Sequence, residues 1–369
     1  MDDLGWRPHL EAVGDRALVT MRDVAQAVGV SQAAVSYAYN RPDKLSESQR
    51  TRIFAAAAEL GYTGPDPAAR GLRTGKVGAL GLILTDSLSY AFHDPGASLL
   101  LRGISEVGEL AQVALTLLPA PLETVPTPAS SGAPLLGLVD GFMIYALPDR
   151  HPIVQGVLSR GLPVVVIDAP AVPGHSLVGI DDHGAARDAA AHVLGLGHRR
   201  LGILVSRLAA DGRTGPVSAT RLSRARDRVM KARVQGYLEA AREHDVAQPV
   251  VYEAGGFGYD QARAAAEKLL DTEPVTAVLA ATDVLALAVL DAARERGLRV
   301  PEQLSVIGFD DLPAAAAAEL TTVHQSLSAK GAHAARLLLD AVNGATDRPN
   351  VTLPTELVIR HSTAVPRAD

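Results

Sequence analysis

The chain has 369 residues, 47% of them apolar, and a formal charge of −6. That length suits two or three domains with substantial cores, and the 33 glycines and 23 prolines fit many short connections. With no cysteine in the chain, disulfide frameworks, thiolate zinc sites and cysteine catalysis are excluded, which fits a reducing cytoplasm.

Residues 1–19 read as a loose tail. They lack the basic start and apolar core of a secretion leader, and no apolar run reaches the roughly 18 residues of a membrane helix. A cytoplasmic location is therefore expected. The charge is unevenly spread. Residues 20–76 hold eight Lys/Arg against five Asp/Glu, a balance of +3, while residues 77–369 hold 25 against 32, a balance of −7. A small basic segment on an acidic body is the local excess expected of a DNA reader.

Thr20-Met21-Arg22-Asp23 opens the first predicted helix, with Thr20 as N-cap and an acid at the third helical position. Met21, Val24, Ala25 and Val28 share one face, and Gly29 ends the helix. Ser31 caps a second helix running to about Tyr39, with Val35 and Ala38 inward, until Asn40-Arg41-Pro42 stops it. Ser46-Glu47-Ser48-Gln49 reads as a capping box for a third helix. Its buried stripe is Ile53, Ala56, Ala57 and Leu60, and Gly61 is its C-cap. Two short helices around a Gly-containing turn, covered by a third, make a helix-turn-helix. The second helix would lie in the major groove. Gln32, Ala33, Ser36 and Tyr37 face away from Val35 and could reach base edges. The Gln32 amide can pair bidentately with adenine, and Ala33 could meet a thymine methyl. The pattern alone equally allows a three-helix bundle that binds protein or nothing.

The literal residues say more. Thr20-Met21-Arg22-Asp23-Val24-Ala25, Gly29-Val30-Ser31, Val35-Ser36, Asn40-Arg41-Pro42 and Leu60-Gly61-Tyr62 closely resemble the headpiece of the lactose-repressor (LacI/GalR) family. Ala69-Arg70-Gly71-Leu72-Arg73 resembles that family's hinge helix. The resemblance implies DNA contacts from Thr20, Arg22, Ser31, Gln32, Ala33, Ser36, Tyr37, Asn40, Ala69, Arg70 and Leu72, with Leu72 as a wedge between central base steps. The hinge also has its own physics. Asp66 is an N-cap, Pro67 suits the first helical position and Gly75 ends the segment. The helix left between them is too short to be stable alone in water.

After Lys76, apolar runs alternate with Ala/Leu-rich helical stretches, the pattern of doubly wound α/β units with parallel sheets. Four runs end alike: residues 79–84 at Thr85-Asp86, 164–167 at Asp168, 277–281 at Thr282-Asp283, and 306–309 at Asp310-Asp311. Open parallel sheets bind ligands beyond the carboxyl ends of their strands. Carboxylates gathered there suit a small polyhydroxylated ligand, although Asp also simply favours turns. The body shows no phosphate loop, no dinucleotide fingerprint, no metal-ligand spacing among its histidines and no nucleophile elbow. No catalytic residue, cofactor or metal is expected, and the body reads as a binder.

Gly195-Leu196-Gly197-His198-Arg199-Arg200, Ile307-Gly308-Phe309-Asp310-Asp311, Leu320-Thr321-Thr322-Val323 and the closing Glu356-Leu357-Val358-Ile359-Arg360-His361-Ser362-Thr363 extend the resemblance to the end of the chain. They are similar also to periplasmic sugar-binding proteins. The resemblance implies a helix-turn-helix domain over 20–64, a hinge over 65–76 and an effector-binding domain over 77–369. The last would have two similar subdomains, 77–180 with 327–341 and 181–326 with 342–369, joined by three crossovers around a ligand cleft. Carried over by position, the effector contacts are Asp168, Arg233, Asp310, Gln325 and Thr282, with Phe257 as an aromatic platform and Thr85 and Phe92 near the mouth. Thr282 stands where many relatives have Asn, and Ser89-Tyr90-Ala91-Phe92 departs from the family's Asn-Pro-Phe-Phe. Ligand identity therefore does not carry over. The eight Lys/Arg of residues 207–233 read as a solvated loop in preference to a second DNA patch.

The expectation is a homodimeric transcription regulator, a repressor, on a pseudo-palindromic operator. Its small effector is a sugar by resemblance, with a nucleoside or nucleobase as the other option. A sugar-binding protein without a regulatory role is the alternative, which would carry a secretion signal and no headpiece. An enzyme on the same scaffold is disfavoured.

Overall fold

The computed structural model describes residues 19–64, 76–108, 110, 113–120, 138–272 and 274–367. The hinge positions Ala69, Arg70 and Leu72 lie outside them. The chain divides into two compact units, residues 1–77 and 78–369.

The first unit is the three-helix headpiece. Helix α1 (Met21–Val28) begins at Thr20, whose backbone N–H and hydroxyl both donate to the Asp23 carboxylate, at 2.8 and 2.7 Å. Those donors hold the Asp23 carboxyl below its usual range. Gly29 closes α1 at φ +72°, where a side chain would cost about 1–2 kcal/mol. Ser31 caps α2 (Gln32–Asn40) by accepting from the Ala34 amide, and Ser46 caps α3 (Glu47–Leu60) by accepting from the Gln49 amide, both at 3.2 Å. Val24, Ala25, Val35, Ala38, Ile53 and Ala57 form the core. Leu60, expected in the buried stripe, is instead 40% exposed. It is the last residue of α3, and the chain turning back at Gly61 packs Tyr62 on the core and edge-on to Tyr39.

The second unit has two lobes. In the first, β1 (Ala79–Thr85), α4 (Leu88–His93), α5 (Pro95–Ser105), β2 (Ala114–Ala120), β3 (Gly141–Tyr145), α6 (Pro152–Leu158), β4 (Val164–Ile167) and β5 (Ser176–Ile180) follow in order. The chain then crosses to the second lobe through α7 (Asp182–Gly195), β6 (Leu201–Val205), β7 (Gly215–Pro216), α8 (Ala219–Ser223), α9 (Arg228–Glu243), β8 (Val250–Glu253), α10 (Tyr259–Thr272), β9 (Ala277–Ala280), α11 (Asp283–Glu295), β10 (Ser305–Asp310), α12 (Pro313–Ala317) and β11 (Thr321–Gln325). It returns through α13 (Leu327–Val342) and β12 (Val351–Leu353), then crosses again to β13 (Thr355–Val358).

The two sheets share one topology. The first runs β2-β1-β3-β4-β5-β12, all parallel, and the second runs β8-β6-β9-β10-β11-β13 with β7 added at one edge. Strands β7 and β13 are antiparallel to their neighbours. Every residue of β1 is buried. Leu80, Leu82 and Leu84 enter one core cluster while Ala79 and Ile83 enter another, as a sheet covered on both faces requires. Each lobe also brings two helices into close approach. A Cβ on Gly331 of α13 would lie 2.3 Å from the Leu100 carbonyl oxygen of α5, and one on Gly236 of α9 would lie 2.2 Å from that of His183 on α7.

One boundary differs from expectation. Residues 342–369 do not all join the second lobe, because Val351–Leu353 pairs with β5 in the first. Pro354 follows and has no N–H for a ladder, so the sheet changes there. The Gly197–Arg200 stretch has a structural role. Arg199 donates to the Leu194 carbonyl at the end of α7, at 3.0 Å. Buried His198 bonds Thr276, Ser305 and the Ala364 carbonyl, tying the last residues down, and burial pushes its pKa down. Among the described residues no helix is long and apolar enough to cross a membrane, and no group of three or more acids and histidines is placed to hold a metal ion.

Candidate nucleic-acid interface and ligand cleft

On the headpiece, Gln32 and Ala33 are exposed, Ser36 is half-buried and Tyr37 is 43% exposed. All lie opposite buried Val35 and Ala38 on α2, so one face of the helix is held and the other presented. Thr20, Arg22 and Ser31 are exposed at the starts of α1 and α2. Asn40 differs: its amide nitrogen donates to the Ser36 carbonyl at 3.0 Å, which leaves its oxygen for an outside donor. Arg52 braces the unit by donating to the Val28 carbonyl at 3.1 Å.

In the second unit a cavity of about 490 Å³ opens at the carboxyl ends of both sheets. Thr85, Asp168, Arg233, Phe257, Thr282, Asp310 and Gln325 all line it, so seven of the eight expected effector residues converge although they span 240 positions of the chain. Phe92 does not: it is 64% exposed. On the short helix α4, Ala91 is buried, which turns the next residue about 100° away toward solvent. His93 and Asp94 line the wall there.

The strand ends explain how carboxylates come to point into the cavity. Asp168 and Asp310 have φ of +62° and +117°, backbone that Asp tolerates better than most residues and that gathers at functional sites. Asp283, the third acid after a strand, takes another path. Its oxygens accept from the Thr322 hydroxyl at 2.6 Å and the Leu312 amide at 2.7 Å. Burial, with Asp310 nearby, pushes its carboxyl up to about 8. Asp283 is a strut, and Thr282 before it is the N-cap of α11.

Arg233 is the centre of the second lobe's wall and is 3% exposed. Its Nε donates to Asp182 at 2.8 Å, its Nη1 to the Ala281 carbonyl at 2.6 Å, and Nη1 lies 3.4 Å from Asp310. The guanidinium also sits 3.5 Å from the centre of the Phe309 ring. Burial raises both carboxyls against the pull of Arg233, and Asp310 is pushed up to about 6. Gln325 donates to Asp310 at 2.6 Å.

Two buried cations were not anticipated. Arg207 donates to Thr85 across the lobes at 3.1 Å, stacks 4.2 Å over the Phe257 ring and lies 3.8 Å from Asp227. It belongs to a charge-rich stretch in which nothing distinguishes it from its neighbours. Lys330 is fully buried against Asp168 and Gln325. It left a readable trace, a lone lysine at helical spacing from Leu327 and Ala334 on an apolar face. Elsewhere in 207–233, Arg221 is clamped between Asp211 and Glu253, with contacts of 2.6–3.0 Å, and Arg228 lies 3.6 Å from Asp149. Much of that positive charge is neutralised within the body.

A three-helix unit with one exposed helix face and a two-lobed unit with a cleft are shared with proteins of known kind. Residues 20–64 match the bacterial regulatory proteins of the lacI family, and residues 190–363 match the periplasmic binding protein-like domain. An HTH-type transcriptional regulator of Mycobacterium tuberculosis is 41% identical over 358 residues, covering 96% of this chain and 99% of the relative. The chain belongs to the LacI family. It is a DNA-binding transcriptional regulator, and its relatives are regulators, not enzymes. A LacI-family regulator from Corynebacterium glutamicum has a similar structure, with TM-score 0.73, 32% identity and coverage of 94% and 98%. So does the regulator CelR in its cellobiose complex, with TM-score 0.67, 29% identity and coverage of 93% and 99%.

Proposed function

We propose that this LacI-family regulator is a cytoplasmic homodimeric repressor of a pseudo-palindromic operator, controlled by a sugar bound in the cleft. The observation that carries the ligand reading is the cavity itself. Asp168 reaches it from the first lobe, Asp310 and Arg233 from the second, and Gln325 from the crossover between them. A ligand held by both lobes changes their relative free energy of opening, which is the differential contact that allostery requires. CelR, a relative with the same fold, has been captured with cellobiose.

On the headpiece, Gln32, Ala33, Ser36 and Tyr37 read base edges, while Thr20, Arg22, Ser31 and Asn40 position the unit on the backbone. Ala69, Arg70 and Leu72 complete the interface in the minor groove. Two headpieces on a two-fold axis make the half-site spacing a geometric quantity. The test is operator titration by the full-length protein after selection of its preferred DNA, with and without cellobiose and simple sugars. A sugar that shifts operator affinity supports the reading. A shift produced by nucleosides and by no sugar replaces the effector class. In the same assay Leu72→Ala weakens operator binding about tenfold or more, on the scale of a lost base-step wedge, and unchanged affinity removes the wedge assignment.

A further inference from the structure

Lys330 has no exposed surface. It lies one turn into α13, on the face that carries Leu327, Gly331, Ala334 and Leu338 into the core. An ammonium there persists only with anionic or strongly dipolar partners. Its Nζ donates to Asp168 Oδ1 and to Gln325 Oε1, each at 2.5 Å. Gln325 Nε2 donates onward to Asp310 Oδ1 at 2.6 Å, and Asp310 meets Arg233 at 3.4 Å. One chain of polar contacts thus runs from the end of β4 in the first lobe, through the crossover, to β10 and α9 in the second. Asp168, Gln325, Asp310 and Arg233 line the cavity, and Lys330 stands behind them.

This arrangement restricts what the wall can bind. Gln325 has one orientation, because its oxygen faces an ammonium and its nitrogen a carboxylate. Lys330 engages one oxygen of Asp168 and leaves the other as an acceptor. Asp94, Asp168, Asp227 and Asp310 line the cavity, and the buried cations beside them are already engaged: Lys330 by Asp168, Arg207 3.8 Å from Asp227, and Arg233 by Asp182 and Asp310. Hydroxyl groups find acceptors on this wall. A phosphate or carboxylate finds like charge, with Lys330, Arg207 and Arg233 each already facing a carboxylate.

We propose that Lys330 is a positioning and specificity-determining residue, fixing Asp168 and Gln325 from behind the wall so that the cleft takes an uncharged hydroxylated effector and rejects phosphorylated or carboxylated ones. The proposal rests on the reading of the cavity as the effector site. It is tested on the full chain by calorimetric titration with glucose, ribose and cellobiose, each against its phosphate ester or uronic acid. The proteins are the unaltered chain, Lys330→Met, Lys330→Arg, Asp168→Asn and the double variant Lys330→Met with Asp168→Asn.

A neutral sugar binds the unaltered chain, and its anionic counterpart binds at least about tenfold more weakly. Lys330→Met weakens the neutral sugar about tenfold or more, the scale of a lost charged hydrogen bond, and Lys330→Arg keeps more of the affinity. An anionic sugar that binds tighter than its parent, or neutral affinity unchanged in Lys330→Met, overturns the proposal. The unliganded proteins test the pairing without any sugar. Each single variant lowers the unfolding midpoint, and the double falls no further than Lys330→Met alone. Additive losses overturn the positioning role. If Lys330→Met does not fold, Lys330→Arg and Asp168→Asn carry both comparisons. A non-additive cycle with no binding by any sugar, neutral or anionic, removes the effector-site reading and the specificity claim with it, while the pairing stands.

Discussion

The headpiece and the cleft place their working groups in opposite ways. The headpiece buries six small or branched apolar residues and leaves Gln32, Ala33 and Tyr37 in solvent. The cleft takes its polar groups out of water and pairs them, so Arg233 and Gln325 are both cavity wall and part of the folded core, with Lys330 buried behind them. Groups on an exposed face can change at little cost to the fold. A buried network cannot, because removing one member strands its partners.

The largest effect that could break this contrast is at Arg233. Arg233→Ala leaves Asp182 and Asp310 buried without their counter-charge, and should cost the body about 3–5 kcal/mol in denaturant unfolding. The headpiece transition should be unmoved, and the sugar response should disappear. A loss below about 1 kcal/mol would put Arg233 with the exposed groups.

Asp283 sharpens the same contrast through pH. Burial raises its carboxyl from 3.8 to about 8 in the fold. The folded state therefore binds the proton more tightly, so this contribution is fully present below pH 3.8 and is lost as pH rises through about 8. Body stability should fall from about pH 4 to about pH 8, measured by urea unfolding, and Asp283→Asn should flatten that slope. The amide can keep both the Leu312 and Thr322 contacts, so an unchanged slope would place the titration elsewhere.

The smallest effects belong to the headpiece, where stability and recognition should separate. Gln32→Ala should cost about 1–3 kcal/mol of discrimination at one base position of each half-site, with no change in melting. Ser46→Ala removes the cap of α3 and should do the reverse, costing about 1 kcal/mol of headpiece stability with base preference intact. A selection experiment that returns the same motif for Gln32→Ala would remove its reading role.

The helices of the headpiece were legible because their signals are local. Thr20, Ser31 and Ser46 each cap the helix their position announces, and Gly29 and Gly61 end the helices where a left-handed residue is needed. Only the last turn misled, since whether Leu60 is covered depends on where the chain goes after it. Four strands of the body were equally readable, as buried apolar runs leading to Thr85, Asp168, Thr282 and Asp310. Their convergence on one cavity follows from two sheets of the same topology, facing each other at their carboxyl ends.

The sequence by itself determined the headpiece helices and their caps, four strands of the body, the family and seven of the residues that meet in the cleft, because those depend on local spacing or on ordered strings of residues. Tertiary structure alone decided which charges pair. Lys330 and Asp168 are 162 positions apart, and Arg233 and Asp310 are 77. No local rule links such pairs. They form because burial makes an unpaired charge too costly to keep, and burial is a property of the assembled lobes. The basic balance of the headpiece could be read from its string of residues. The charge balance of the cleft existed only once the chain had folded around it.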